Sequence, residues 1–414
     1  MTVNMTARIS ETKSPDLRLA GWTKSIKRSV LREMLAVVSQ PGILSFAGGL
    51  PAPELFPTEE YAKAVAATLS SDSKSLQYGP PFRPLKRQIV NLMGQRGVVC
   101  TEEQVFITTG AQQALNVLTR LFLDHGGTVL IEELVYTGIQ QALAGYEAEI
   151  ITISTDMEEG METDEIESHL MDGVRPAFVY AIPVAHNPLG VSISQSRASK
   201  LVTLARTYGF PIVEDDPYGF LTYDDDHKLP MRSLDENWVI YVGSFSKILA
   251  PALRLGWMIV PERLVPKLTV LKEALDLETS AFIQRTVAAY LEAGHLPAHL
   301  ERLRTEYRKR RDTMLASMKL HFPAVARWTN PAGGMFIWVE LPEHVDTTQL
   351  LNIAVEEERV AYIPGSAFSV SSGIISTRPS DRADNCLRLN FSNSTPEEIE
   401  QGISRLGRIL RRCC

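Results

Sequence analysis

Between residues 101 and 260 the chain alternates short apolar runs with longer stretches whose apolar positions recur at helical spacing. The runs fall at 105–107, 129–131, 149–153, 178–182, 211–214, 238–242 and 255–260, with a helical stretch at 111–123. A strand covered on both faces reads as a continuous apolar run, and strands separated by helix-length crossovers pair in parallel. The pattern therefore predicts an α/β fold with a mostly parallel sheet covered on both faces. In such sheets ligands sit at the carboxyl ends of the strands.

Beyond residue 262 the spacing is helical over 268–275, 282–292 and the charged 300–320, a bridge out of the sheet. Runs at 326–329, 335–340, 360–363 and 387–390 then read as strands, and 348–358 and 396–410 as helices, giving a small α+β domain. A helix at 24–38 and a loop at 46–57 precede the sheet. The expected division is 1–57 for this N-terminal helix and loop, 58–295 for a large domain and 296–414 for a C-terminal small domain. The polar, Ser-rich 369–384 reads as a loop, and no internal repeat is visible.

At 414 residues and 44% hydrophobic content, the chain can bury two cores. Its 42 basic and 49 acidic residues give a net charge of −7 without a basic block, which argues against a nucleic-acid surface. The first twenty residues lack an apolar signal core, and no run approaches the ~20 apolar residues of a membrane span. A cytoplasmic protein acting on a small molecule, with no membrane partner, is the expectation. Cys100, Cys386, Cys413 and Cys414 show neither metal-ligand spacing nor a disulfide framework, which fits a reducing compartment and no metal. The terminal Cys413-Cys414 pair is similar to a prenylation signal but reads as an unmodified tail.

Candidate chemistry clusters just after the apolar runs. In Gly243-Ser244-Phe245-Ser246-Lys247, with Arg254 seven residues on, a lysine follows a strand into a turn of small residues. Ser244, Ser246 and exposed amides can hold a phosphate, Arg254 adds a planar fork, and the free amine can form a Schiff base with a phosphorylated aldehyde. A lone lysine at a strand end is ordinarily just solvated. Thr109-Gly110-Ala111-Gln112 opens a helix after the run 105–107, and helix amides attract anions. Asp215 ends the run 211–214 and Tyr218 follows three residues later; Glu214 and Asp216 are rival carboxylates that strand alternation points away from the Asp215 side. Asn187 lies in His186-Asn187-Pro188-Leu189-Gly190, Tyr136 follows the run 129–131, and Arg388 interrupts an apolar strand. Gly49, Tyr78 and Arg32 complete the set.

These motifs, in this order along nearly the whole chain, resemble those of the fold-type I pyridoxal-phosphate enzymes, in the aminotransferase class I/II family and its 2-aminoadipate/kynurenine branch. The resemblance implies a seven-stranded sheet in an α/β/α sandwich as the large, cofactor-binding domain, beside the smaller α+β domain. It further implies that Lys247 carries pyridoxal 5'-phosphate and shuttles a proton, that Asp215 faces the pyridine nitrogen, and that Tyr218 and Asn187 donate to the ring's phenolic oxygen. Gly110, Ala111, Gln112, Ser244, Ser246 and Arg254 would hold the phosphate and Tyr136 would stack on the ring. Tyr78 would reach the phosphate from the second subunit of a homodimer with shared active sites. Arg388 would clamp the α-carboxylate of the substrate, Gly49 would approach it through its backbone, and Arg32 would meet an acidic side chain. The implied reaction moves an α-amino group between an L-amino acid and a 2-oxo acid.

Leu189 stands where the family pattern has threonine, and His186 precedes the asparagine; His186 reads as packed rather than as a base. That departure keeps open a biosynthetic elimination, cyclisation or decarboxylation on the same fold. A ligand-binding regulator is the other alternative, since some bacterial transcription factors resemble this family in one half. Only about twenty residues precede the first helix here, too few for a helix-turn-helix module.

Overall fold

A computed structural model describes residues 18–21, 23, 41–71, 73–224, 228–370 and 383–414. Seven strands form the central sheet: β1 (Val105–Thr108), β2 (Thr128–Glu132), β3 (Glu149–Ile153), β4 (Phe178–Ala181), β5 (Ile212–Asp215), β6 (Val239–Ser244) and β7 (Gly256–Ile259). Each lies on one of the seven apolar runs. Their spatial order is β1-β7-β6-β5-β4-β2-β3, parallel except that β7 runs antiparallel to both its neighbours.

The apolar runs are continuous because both faces are buried. Ile131, Tyr180, Val213 and Ile240 enter one hydrophobic cluster, while their sequence neighbours Leu130, Val179, Ile212 and Val239 enter another on the opposite face. Crossover helices supply those two layers, among them α1 (Ala111–Phe122) directly after β1.

The second sheet has four strands, β8 (Arg327–Trp328), β9 (Phe336–Glu340), β10 (Ile363–Pro364) and β11 (Cys386–Asn390), in the order β8-β9-β11-β10 with antiparallel pairings. The single run expected at 360–363 is divided. Val360–Ala361 pairs in parallel with Leu44–Ser45, and Ile363–Pro364 forms an edge of the four-stranded sheet, where a proline lacking an N–H is tolerated. Between them Tyr362 is fully buried, its hydroxyl donating to the Thr347 carbonyl at 2.8 Å.

Two long helices back this sheet, α2 (Leu296–His321) and α3 (Pro396–Cys413). Thr395 and Glu398 start α3 with a reciprocal capping box. Gly407 lets α3 close on the end of α2, since a Cβ there would stand 2.5 Å from the His321 carbonyl oxygen. The expected helix at 24–38, Arg32 and residues 371–382 of the Ser-rich loop lie outside the described residues. Among the described residues no helix is long and apolar enough to cross a membrane.

Candidate active site

The carboxyl ends of β1, β2, β4, β5 and β6 converge, and Gly110, Tyr136, Asn187, Asp215 and Ser244 lie at or just beyond them. Gly110 precedes α1 at φ +83°, a conformation open to glycine, and a Cβ there would stand 2.8 Å from Arg254 Nη2. The bare α-carbon thus lets the Arg254 guanidinium lie beside the free amides of Ala111 and Gln112 at the start of α1, an arrangement suited to an anion. Behind the turn, Thr109 donates its hydroxyl to Asp276 Oδ2 at 2.7 Å and its amide to Gln113 Oε1 at 2.8 Å, while the buried Lys272 amine bridges Gln113 and Asp276 at 2.9 and 2.8 Å. On the other flank the Ser246 amide donates to Ser244 Oγ at 3.1 Å.

Lys247 follows this turn. Its amine donates to the Gly49 carbonyl at 2.7 Å. Burial first, then the charges of Arg388 and Arg254, pull its pKa down to about 8, so a neutral amine is within reach near physiological pH. Arg388 of the second sheet reaches the same segment, donating to the Ala47 carbonyl at 2.7 Å, while Arg254 lies against Gly110 at the start of α1.

Three consecutive carboxylates end β5, and the pleat separates them. Glu214 is fully buried and accepts the backbone amides of Met231 and Arg232 at 2.7 and 2.8 Å. Asp216 pairs with Arg96 at 3.0 Å and accepts the Tyr241 hydroxyl at 3.2 Å. Asp215 faces the opposite way from Glu214. Its Oδ2 accepts the Tyr180 hydroxyl at 2.7 Å, while its buried Oδ1 has no hydrogen-bond partner among the described residues. Burial raises the Asp215 pKa to about 7, against the lowering effect of Tyr180. Tyr218 is buried nearby with its ring edge-on to Phe336, centroids 5.9 Å apart, and burial raises its phenol above the ordinary range. Tyr136 donates to Gln112 Oε1 at 3.3 Å, and Gln112 donates in turn to the Gly138 carbonyl at 2.8 Å.

The opposite wall is built on β11. Arg388 is 1% exposed, donating through Nη1 to Asn187 Oδ1 and through Nη2 to the Ala47 carbonyl, both at 2.7 Å. Its guanidinium lies between the rings of Phe336 and Phe368, 4.1 and 4.7 Å from their centroids, and Nε has no partner among the described residues. Burial pulls its pKa down to about 9, which leaves it charged at neutral pH. Gly49 packs its bare α-carbon toward Phe336, where a Cβ would come within 3.2 Å of the ring. The Phe368 segment is stitched to the loop after β2: the Val135 amide donates to the Phe368 carbonyl at 3.1 Å and the Val370 amide to the Glu133 carbonyl at 3.3 Å.

His186 is buried, with Nε2 3.0 Å from Glu132 Oε2 on the face away from Asp215. Leu189 is buried as well. Tyr78 stands apart at 77% exposure and joins none of the described hydrogen bonds of the cluster through its ring. Sequence reasoning passed over Tyr180, although its place was readable: Tyr180 pairs with Val213 across β4 and β5, so it shares a face with Asp215 two residues on. Phe336, Phe368 and the Ala47 carbonyl carried no comparable signal.

The family model for aminotransferase class I and II matches residues 47–406. The chain belongs to this family. It is 37% identical over 395 residues to aromatic-amino-acid aminotransferase 1 of Thermococcus litoralis, covering 93% of this chain and 92% of that one. It is 38% identical to the 2-aminoadipate transaminase of Thermus thermophilus, covering 93% and 94%. Among solved structures, the α-aminoadipate aminotransferase LysN of Thermus thermophilus, complexed with N-(5'-phosphopyridoxyl)-L-leucine, superposes with a TM-score of 0.85 at 36% identity, covering 95% of this chain and 97% of that one. The chain is an aminotransferase of fold type I, and pyridoxal phosphate is its cofactor. The residues present fit that group: an open helix start beside Arg254 suits its phosphate, the unpartnered Asp215 Oδ1 suits a protonated ring nitrogen, and the Lys247 amine suits its aldehyde.

Proposed function

We propose that Lys247 is the reactive amine of this aminotransferase and that the substrate's α-carboxylate is held by Arg388. The observation that carries the reading is that Lys247 and Arg388 reach one short segment, donating to the Gly49 and Ala47 carbonyls at 2.7 Å each, while Arg254 lies against Gly110 at the start of α1, so that each anion of a phosphorylated cofactor and an amino acid has a cation of its own. When bound, pyridoxal phosphate supplies an aldehyde and an electron-withdrawing ring to the amino group being moved. Gly110, Ala111, Gln112, Ser244, Ser246 and Arg254 would hold the phosphate, and Tyr136 would cover the ring. Asp215, whose Oδ1 has no partner among the described residues, would accept from the ring nitrogen, and a carboxylate there would keep that nitrogen cationic. Asn187 and Tyr218 offer donors for the phenolic oxygen. As a neutral amine, Lys247 would take the α-proton of the amino acid and return it as the amino group is moved, and Arg388 would hold the carboxylate.

The names of the relatives support aromatic or 2-aminoadipate-like donors with a 2-oxo acid as acceptor. We further assign residues 1–57, 58–295 and 296–414 to an N-terminal segment, a large domain and a small domain, and the protein to the cytoplasm, where its free cysteines fit a reducing milieu. A homodimer with shared sites accounts for Tyr78, since Leu76, Tyr78 and Leu277 are all exposed.

A panel of amino acids added to the cofactor-loaded enzyme, with the cofactor's absorbance and 2-oxo acid formation both followed, tests the reading. Aromatic or 2-aminoadipate donors should bleach the band with stoichiometric oxo acid. Bleaching without oxo acid would reject transamination. Mixing Lys247→Ala with Arg388→Ala subunits should restore activity at one intact site per heterodimer. Mixing Lys247→Ala with Tyr78→Phe, if the latter is inactive alone, should not, because both lesions then fall in one site.

A further inference from the structure

We propose that Tyr180 is a positioning residue for Asp215: its hydroxyl occupies one carboxylate oxygen and so presents the other, ionised, to the nitrogen of the cofactor ring. The inference rests on the reading of Asp215 given above and adds the residue that makes it work.

Geometry carries it. Tyr180 lies on β4 opposite Val213 of β5, so its side chain and that of Asp215 leave the same face as diagonal neighbours, within reach for a tyrosine. The hydroxyl meets Oδ2 at 2.7 Å, and Tyr180 and Asp215 are 0% and 3% exposed. Oδ1, equally buried, is left without a partner among the described residues. A buried carboxylate oxygen with no donor is costly, and it persists where a ligand is to supply the donor. The hydroxyl settles which oxygen that is.

The groups around the pair bear on its charge. Asp215 is faced by Tyr180 from β4, by Tyr136 from the loop after β2, and by Asp216 and Tyr218 from its own segment, while Glu132 acts on Tyr180. Burial, then the neighbouring carboxylate, holds the Tyr180 phenol well above its ordinary range, so it remains a donor at any working pH. Burial pushes Asp215 toward its neutral form, as does Asp216, and the Tyr180 hydrogen bond opposes both. Without that bond the carboxyl favours the protonated form, which cannot keep a ring nitrogen cationic.

Tyr180→Phe removes the hydroxyl and preserves the ring that fills the core. With 15N-labelled pyridoxal phosphate bound, the ring-nitrogen resonance of Tyr180→Phe should move toward the unprotonated position at pH 7.5, and kcat should fall about tenfold with KM little changed. In an Asp215→Asn background the same substitution should change kcat by less than about twofold, because the group it serves is gone. A wild-type nitrogen resonance in Tyr180→Phe, or an equal loss in both backgrounds, would overturn the proposal while leaving Asp215 in place. An Asp215→Asn protein with wild-type resonance and rate would instead remove the carboxylate's role, and Tyr180's with it.

Discussion

At one end of the site, Gly110, Asp215 and Arg254 stand on the seven-stranded sheet, with Asp215 Oδ1 open to a donor. At the other, Arg388 comes from the four-stranded sheet and gives one N–H of each Nη to Asn187 and Ala47, which fixes the guanidinium and leaves its remaining donors, Nε among them, for a ligand. The first end is a receptor with an unmet bond, held by strand register. The second is anchored by two hydrogen bonds within the chain and is shaped by two phenylalanines as much as by polar partners. Changes at the sheet end should therefore strike the chemical step, and changes at the β11 end should strike substrate capture.

Lys247→Ala should separate chemistry from binding most severely. Turnover should fall by about a thousandfold or more, while a folded protein retains cofactor noncovalently through phosphate and ring contacts. Borohydride reduction of the wild-type enzyme and peptide mapping should put the pyridoxyl label on Lys247; a label on any other lysine rejects the assignment.

Asp215→Asn should lower kcat about a hundredfold, from a loss on the order of 3 kcal/mol in the transition state, with a milder loss of cofactor. The same variant tests the electrostatics without cofactor. A carboxyl whose folded pKa is raised to about 7 contributes stability that is present below its unfolded value, near 4, and is lost as pH climbs through 7. The cofactor-free wild type should lose on the order of 3 kcal/mol across that window from this group, and Asp215→Asn should flatten the loss in denaturant titrations at pH 5 and pH 8. An identical pH slope in the two proteins would mean that Asp215 is not strained in the empty site.

Arg388→Lys should raise KM about tenfold or more and leave the cofactor spectrum alone, because a point charge replaces a fork that the cofactor does not touch. A disturbed spectrum would erase the proposed division of labour. Glu214→Gln should have the smallest effect, a kcat within about threefold of wild type, since Glu214 serves the amides of Met231 and Arg232 on the far face. A loss matching that of Asp215→Asn would show the wrong carboxylate was chosen.

The sheet end was the more legible in sequence. Continuous apolar runs mark doubly buried strands, and glycine, aspartate and lysine just after them stand out against that background. The resemblance marks Asp215, three residues before Tyr218, alternation turns Glu214 and Asp216 away from its side, and the buried partners of those two agree with the alternation. The β11 end was legible only as Arg388 itself. Its aromatic sandwich joins residues from β9 and from the turn before residue 369, and no local pattern announces a contact made across a fold. The divided strand at 360–363 escaped for the same reason, as its two halves answer to partners far apart in sequence. Tyr180 lies inside the apolar run 178–182, where a tyrosine does not stand out from the rest of a buried strand.

The two backbone bonds that tie Val135 to Phe368 and Val370 to Glu133 join the wall over Arg388 directly to the loop that carries Tyr136. Any rocking of the four-stranded sheet against the seven-stranded one must drag that loop along or break those bonds. The amide protons of Val135 and Val370 are thus built-in strain gauges, and their deuterium uptake with and without an amino acid reads whether the two sheets move as one.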